Sequence, residues 1–233
     1  MLVTFDLDNT LWDVDPTLMR AELAMRHWFE DRFPNFYGAL GERGVSHYRH
    51  EVLLDEPAIS FNVSRVRLLI YTRMLKDYGL PAEEAESFAR MAFDAFYDWR
   101  QRVDLYPGAR DVLQQLRDQY AMAVITNGNA DVHHPHISLN EYFEFALRAD
   151  QVGVAKPDPE IFVMAAKQKS VPVTSLIHVG DNPDDDIFGA LNAGARAIWF
   201  NRHGAGRWLR DDCVPDAEIH NLYELPEVLA QLV

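Results

Sequence analysis

Asp6-Leu7-Asp8 places two carboxylates two residues apart, directly after the apolar run Leu2-Val3-Thr4-Phe5, with Thr10 two residues further on. On a strand, residues two apart project to the same face. Paired carboxylates at a strand end are where a metal-assisted phosphoryl-transfer site would sit. Three later segments carry complementary groups. Ile125-Thr126-Asn127-Gly128 offers a hydroxyl and, through the Asn127 and Gly128 amides, an anion-binding turn. Lys156-Pro157-Asp158-Pro159 offers an ammonium beside a proline whose ring favours extended backbone at the lysine. Gly180-Asp181-Asn182-Pro183-Asp184-Asp185-Asp186 crowds four carboxylates into six residues, and these repel unless a cation or solvent relieves them. A hard cation such as Mg²⁺ takes oxygen ligands. Asp6, Asp181 and the backbone carbonyl of Asp8 are the expected ligands, with Asp185 or Asp186 as the second acidic position.

The elements that must hold these groups follow from the pattern of apolar residues. After Thr10 the chain is helical in pattern to about residue 102. Helices are expected at 16–32, at 64–78 with Gly79 as the stop, and from Pro81 to about 102. Glu83 and Glu84 in the first turn of the last of these, with Arg100 and Arg102 in its final turn, complement the helix dipole. From Pro107-Gly108 onward helix and strand alternate: helix 107–119, strand 121–125, strand 145–147, helix 158–169, strand 176–179, helix 185–193 and strand 195–200. Residues 216–220 are a candidate edge strand before a terminal helix. Short apolar strands separated by helices indicate parallel βαβ units. The expected fold is α/β, a doubly wound parallel-sheet (Rossmann-like) core from residues 1–13 and 104–233, with an all-helical domain, residues 14–103, inserted after the first strand. Each motif then begins where a strand ends, so all four converge at the carboxyl edge of the sheet.

In this order the four segments closely resemble the motifs of the haloacid dehalogenase superfamily of aspartate-nucleophile hydrolases. The resemblance implies a phosphatase in which Asp6 is the nucleophile and forms an aspartyl-phosphate, and Asp8 is the general acid and then the base. It further implies that Thr126 and Lys156 serve phosphate and nucleophile, that Asn127 and Gly128 bind phosphate, and that Mg²⁺ is the cofactor. Spacing in relatives favours Asp186 over Asp185, and the inserted helices become a mobile cap over the site. Superfamily dehalogenases need no metal and lack the second aspartate of the opening motif, whereas Asp8 is present here. Phosphonatases add a cap lysine, and residues 14–103 contain only Lys76. The strings Ile125-Thr126-Asn127-Gly128-Asn129-Ala130, Tyr142-Phe143-Glu144-Phe145 and Asp98-Trp99-Arg100 resemble the bacterial flavin mononucleotide phosphatase branch, whose members also act on a phosphorylated riboflavin precursor. A nucleotide or sugar-phosphate phosphatase, and a non-catalytic phosphometabolite-binding protein, stay open as alternatives.

Substrate choice is expected from the helical insertion and the loop after the first motif: Arg65, Arg67, Trp99 and Arg100, with Trp12 and Asp13. The formal net charge of −14 disfavours nucleic acid and anionic membranes as partners, leaving a small phosphorylated metabolite. The single cysteine, Cys213, excludes an intramolecular disulfide and fits a reducing compartment. The first apolar run stops at Asp6, too short for a signal peptide or membrane span, so a cytoplasmic location is expected. Monomer and homodimer are both compatible with the sequence. His133, His134 and His136 surround Pro135 without a cysteine or carboxylate to complete a zinc set, and read as a surface loop. His178, inside an apolar strand, reads as a satisfied core histidine.

Overall fold

The structure is a computed structural model and describes every residue except 203, 205–207, 209 and 233. The chain divides into two compact units, Met1–Asp13 with Asp104–Val233, and Val14–Val103. No helix among the described residues is long and apolar enough to cross a membrane.

The larger unit is built on a six-stranded sheet: β1 (Leu2–Phe5), β2 (Ala121–Thr126), β3 (Phe145–Arg148), β4 (Leu176–Gly180), β5 (Arg196–Phe200) and β6 (Ala217–Ile219). The spatial order is β3-β2-β1-β4-β5-β6 and every pairing is parallel. β1 lies at the centre, with the later strands laid down first on one side of it and then on the other. That reversal opens a crevice at the carboxyl ends of β1 and β4, where ligands bind in open α/β sheets. Asp6 follows β1 and Asp181 follows β4, so the fold delivers both carboxylates to this crevice.

The smaller unit contains α1 (Val14–Arg32), α2 (Phe36–Leu40), α3 (Val45–Asp55), α4 (Val63–Tyr78) and α5 (Ala82–Arg100). α1, α4 and α5 correspond to the expected periodic segments. Their stops are local: Gly79 ends α4 in a left-handed conformation at φ 113°, and Pro81 immediately precedes α5. The short α2 and α3 lack a clean apolar stripe of their own and are shaped by aromatic packing. Phe29 stacks on Phe36 with ring centroids 4.5 Å apart and meets Tyr71 edge-on at 5.3 Å. Phe33 meets Phe88 and Tyr78 at 5.1 and 5.5 Å. Arg67 lies over the Tyr71 and Phe96 rings, Trp99 packs against the same core, and Arg100 is buried.

In the larger unit, α6 (Ala109–Leu116), α7 (Ala149–Val152), α8 (Pro159–Lys169), α9 (Gly189–Asn192) and α10 (Leu225–Leu232) complete the layers. Ile161, Phe162, Ala165 and Ala166 of α8 join Leu2, Ala123, Ile125, Leu176 and Ala197 in one apolar layer on the sheet. The helix expected at 185–193 is different in kind. A π-helical turn, Pro183–Phe188, opens it, and only Gly189–Asn192 is α-helical. Asn182 caps the turn by accepting the Asp184 and Asp185 amides at 2.9 and 3.0 Å. The wider turn carries the acidic run around one helical step and sends Asp186 inward, while Asp184 stays exposed and pairs with Arg210.

Phe29 is wholly buried at the junction of α1, α2 and α4. Phe29→Ala should cost about 3–5 kcal/mol by urea melts that follow helix content. A loss below about 1 kcal/mol would show that this aromatic stack does not organise the insertion.

Candidate active site

The first motif is held by a tight turn. Asn9 adopts φ 59°, its amide donates to the Trp12 carbonyl at 2.7 Å, and the Leu11 amide donates to Leu7 at 2.8 Å. This folds Trp12 back so that its indole Nε1 donates to Asp8 Oδ1 at 2.8 Å. Trp12, expected to bear on substrate choice from the loop after the first motif, is completely buried and orients Asp8 through this hydrogen bond. Thr10, also buried, donates to Asp181 Oδ1 at 3.5 Å, and the Trp199 indole donates to the Asp181 carbonyl at 2.9 Å.

Lys156 lies at the centre. Its ammonium donates to Asp6 Oδ1 at 2.6 Å and to Asp186 Oδ1 at 2.5 Å, with all three side chains buried. A lysine is almost never this deeply buried unless paired. Its backbone is pinned from the neighbouring strand end. The Asn127 side chain accepts the Lys156 amide and donates to its carbonyl, both at 2.8 Å. The Asn127 side chain is therefore committed to Lys156, and any contact with an anion falls to backbone amides. The Gly128 amide donates to Thr126 Oγ1 at 3.1 Å, which draws the turn tight over the end of β2.

Asp6, Asp181 and Asp186 bring one carboxylate oxygen each to within 4.8 Å of one another, the only such ligand group of three among the described residues. Asp186 thus joins the cluster, whereas Asp185 accepts from Asn127 at 3.3 Å. The histidines of 133–136 form no such group among the described residues, although His134 and His136 lie 5.3 Å apart. Gly180 makes room for the arrangement. A Cβ there would come within 2.2 Å of Asp186 Cγ.

The acid–base behaviour follows from this crowding. Burial raises Asp6 well above the usual carboxylate range; Lys156 works against this, and the neighbouring aspartates add to it. Burial, then the charge of Asp186, pushes Asp181 up to about 7. Burial opposes ionisation of Asp186 too, but Lys156 and a hydrogen bond from His178 outweigh it and hold this carboxyl below its ordinary value. Lys156 is raised despite its burial, by Asp186 and then Asp6, and stays charged. Among the described residues Lys156 sets one ammonium against the three carboxylates of Asp6, Asp181 and Asp186, so this cluster is short of positive charge. All-oxygen donors with excess negative charge fit a hard divalent cation. The cluster is a site for a divalent metal.

These residues line a cavity of about 170 Å³ bounded by Asp6, Asp8, Asn9, Thr126, Asn127, Gly128, Lys156, Asp181, Asn182, Asp185 and Asp186. The family model of haloacid dehalogenase-like hydrolases matches residues 1–194. The chain belongs to that family. It is 34% identical over 230 residues to the 5-amino-6-(5-phospho-D-ribitylamino)uracil phosphatase YigB of Escherichia coli K12, covering 97% of this chain and 95% of the relative. It is 39% identical to a glyceraldehyde 3-phosphate phosphatase of Pyrococcus furiosus, covering 85% of this chain and 80% of that one. A crystal structure titled 2-haloacid dehalogenase from Pseudomonas syringae pv. tomato DC3000 superposes with a TM-score of 0.91 at 40% identity, over 100% and 99% of the two chains. The chain is a phosphomonoester phosphatase.

The expected contacts on the helical insertion have partners within it. Arg65 pairs with Glu56 at 2.7 Å, and Arg67 pairs with Glu22 at 2.5 Å while lying 4.1 Å over the Phe96 ring. Arg102 covers Trp99 at 4.0 Å, and Arg100 is buried. His178, expected as a satisfied core histidine, is fully buried and hydrogen-bonded; what the sequence did not show is that one partner is Asp186, 3.0 Å away. The sequence signal for His178 is a polar residue in an otherwise apolar strand three residues before Asp181.

The raised carboxyls give a sign to the metal's effect. Without a cation, the folded site keeps protons on Asp6 and Asp181 that an unfolded chain releases near its ordinary values. Between about pH 4 and 7 the folded state binds more protons, so the site's contribution to stability falls as pH rises. A divalent cation replaces those protons. The rise in melting temperature on adding saturating Mg²⁺ should therefore be larger at about pH 8 than at about pH 5.5. An equal rise at both values, or none, would contradict the site.

Proposed function

We propose that this is a Mg²⁺-dependent cytoplasmic phosphatase that hydrolyses phosphomonoesters through an aspartyl-phosphate on Asp6, with a phosphorylated riboflavin precursor or flavin mononucleotide as substrate. The observation that carries this reading is the Lys156 ammonium buried between Asp6 and Asp186, with Asp181 alongside. Asp6 attacks phosphorus in line. Lys156 orients its carboxylate and offsets charge gathering on the phosphoryl oxygens. Thr126 and the amides of Asn127 and Gly128 bind those oxygens. Asp8, oriented by Trp12, protonates the leaving alcohol and then takes a proton from the water that attacks the phosphorus of the aspartyl-phosphate. Asp6, Asp181, the Asp8 carbonyl and Asp186 would hold Mg²⁺, which supplies positive charge to phosphate and nucleophile when bound.

The riboflavin-precursor assignment is supported by likeness to YigB over nearly the whole chain. Arg65, Arg67, Trp99 and Arg100 are proposed to select the leaving group from the helical insertion. Asp8, which superfamily dehalogenases lack by the motif comparison, supports a phosphatase over a 2-haloacid dehalogenase, as which the similar Pseudomonas protein is named.

Purified protein assayed with Mg²⁺ against a panel of phosphomonoesters, with 2-haloacids as controls, tests the proposal. The ribityl phosphates should give the highest kcat/KM, and 2-haloacids should release no halide. Asp6→Asn should lose on the order of 10³-fold or more in turnover on every substrate while remaining folded. Asp8→Asn should lose more on alkyl phosphates than on p-nitrophenyl phosphate, whose leaving group needs less protonation. Activity of Asp6→Asn within a few-fold of wild type, or metal-independent halide release, would overturn the reading.

A further inference from the structure

The apolar layer beneath the active site contains a polar pair with no direct part in the chemistry above. Thr4 of β1 and His178 of β4 are register partners in adjacent central strands, and both are fully buried. Thr4 Oγ1 lies 2.9 Å from His178 Nδ1, and His178 Nε2 lies 3.0 Å from Asp186 Oδ1. Phe162 closes the ring edge-on at 5.1 Å. A buried polar pair between apolar strands costs stability unless its hydrogen bonds are complete.

The donors and acceptors fix the arrangement. Asp186, ionised against Lys156, can only accept, so His178 Nε2 carries the hydrogen. On the other side of the ring the Thr4 hydroxyl faces Nδ1 at 2.9 Å and holds the imidazole toward Asp186. The Ile177 carbonyl is also open to that hydroxyl, at 3.5 Å. On Asp186, Oδ1 takes hydrogen bonds from both Lys156 and His178, while Oδ2 accepts the Asn182 amide at 2.9 Å. A carboxylate offers about four lone-pair sites, so Asp186 keeps one, on Oδ2, for a further partner.

We infer that Thr4 and His178 are positioning residues that lock the Asp186 carboxylate so that Oδ1 holds Lys156 and Oδ2 faces the cation site. The inference rests on the reading in the preceding section and adds a function to it. When Asp6 becomes an acyl phosphate its carboxylate charge is gone, and Asp186 is then the carboxylate that still holds the ammonium. A carboxylate free to rotate would let Lys156 drift at that stage.

The experiment compares wild type with His178→Leu, His178→Gln, Thr4→Val and Thr4→Ser, each corrected for folded fraction. Nitrogen-15 NMR of the metal-free wild type should show a proton on His178 Nε2, facing Asp186. Calorimetric titration with Mg²⁺, together with turnover of p-nitrophenyl phosphate, should show His178→Leu losing about 10–100-fold in cation affinity or kcat, the range for removing a partner of a metal-bound group. KM should move by less than about threefold. His178→Gln, whose amide can donate to Asp186, should regain most of the loss; Thr4→Val should fall between, and Thr4→Ser should behave as wild type. An Nε2 without a proton would overturn the inference. So would cation affinity and kcat within about twofold of wild type in both His178→Leu and Thr4→Val, whatever their melting temperatures, since that is a core role alone. If His178→Leu does not fold, the Thr4 pair decides. A wild type that takes up no Mg²⁺ overturns the metal reading of the preceding section, and the Nε2 proton and the kcat of the variants then decide this one.

Discussion

The Lys156 ammonium, buried between the carboxylates of Asp6 and Asp186, is the contact on which the rest of the site depends. Three charged side chains withdrawn from water are costly unless each is fully coordinated, and removing one partner of such a group typically costs about 3–5 kcal/mol. The surrounding structure meets that requirement. Asn127 grips the backbone of Lys156 on both sides, the Asn182 amide and His178 complete Asp186, and Gly180 leaves the space Asp186 occupies. The three strands that carry these groups, β2, β1 and β4, are neighbours in the sheet. Parallel pairing brings their carboxyl ends to one edge.

Charge imbalance is the second consequence. Lys156 is committed to Asp6 and Asp186, and burial, then the charge of Asp186, pushes Asp181 up to about 7. In the metal-free molecule a proton is the cheapest remedy. A divalent ion is a better one, because it supplies the missing charge at the point where a phosphoryl group would be drawn in. The same imbalance that weakens the free protein at neutral pH thus favours metal binding, and through it the ionised form of Asp6 that nucleophilic attack requires.

Much of the fold was legible because three of the four chemical motifs directly follow apolar runs and the runs alternate with helical segments, whereas Lys156 comes after α7, eight residues beyond β3. Asp6, Thr126 and Asp181 could be placed at strand ends from spacing alone. Lys156 could not be seen as buried, since a lysine before proline looks like a surface turn until Asp6 and Asp186 are brought to it from 150 and 30 residues away. Thr4 and His178 are 174 residues apart, and their pairing becomes visible only when β1 and β4 are known to be adjacent in register. Trp12 was tied to substrate choice by its place in the loop after the first motif, and the left-handed Asn9 turns it inward onto Asp8. The π-helical turn at Pro183–Phe188 has no periodicity that a sequence would display, yet it sends Asp186 into the cluster and leaves Asp184 outside. The short helices α2 and α3 owe their form to the aromatic core of the insertion rather than to stripes of their own.

The central claim is that the carboxylate held by Lys156 becomes covalently phosphorylated. Rapid acid quenching of the enzyme during turnover of a phosphorus-labelled substrate, followed by peptide mapping, tests it most directly. The account predicts acid-stable, hydroxylamine-labile label on the peptide that contains Asp6, formed and lost at rates compatible with turnover. Label on another residue, or full turnover with no labelled enzyme even when hydrolysis of the intermediate is slowed by Asp8→Asn, would contradict it.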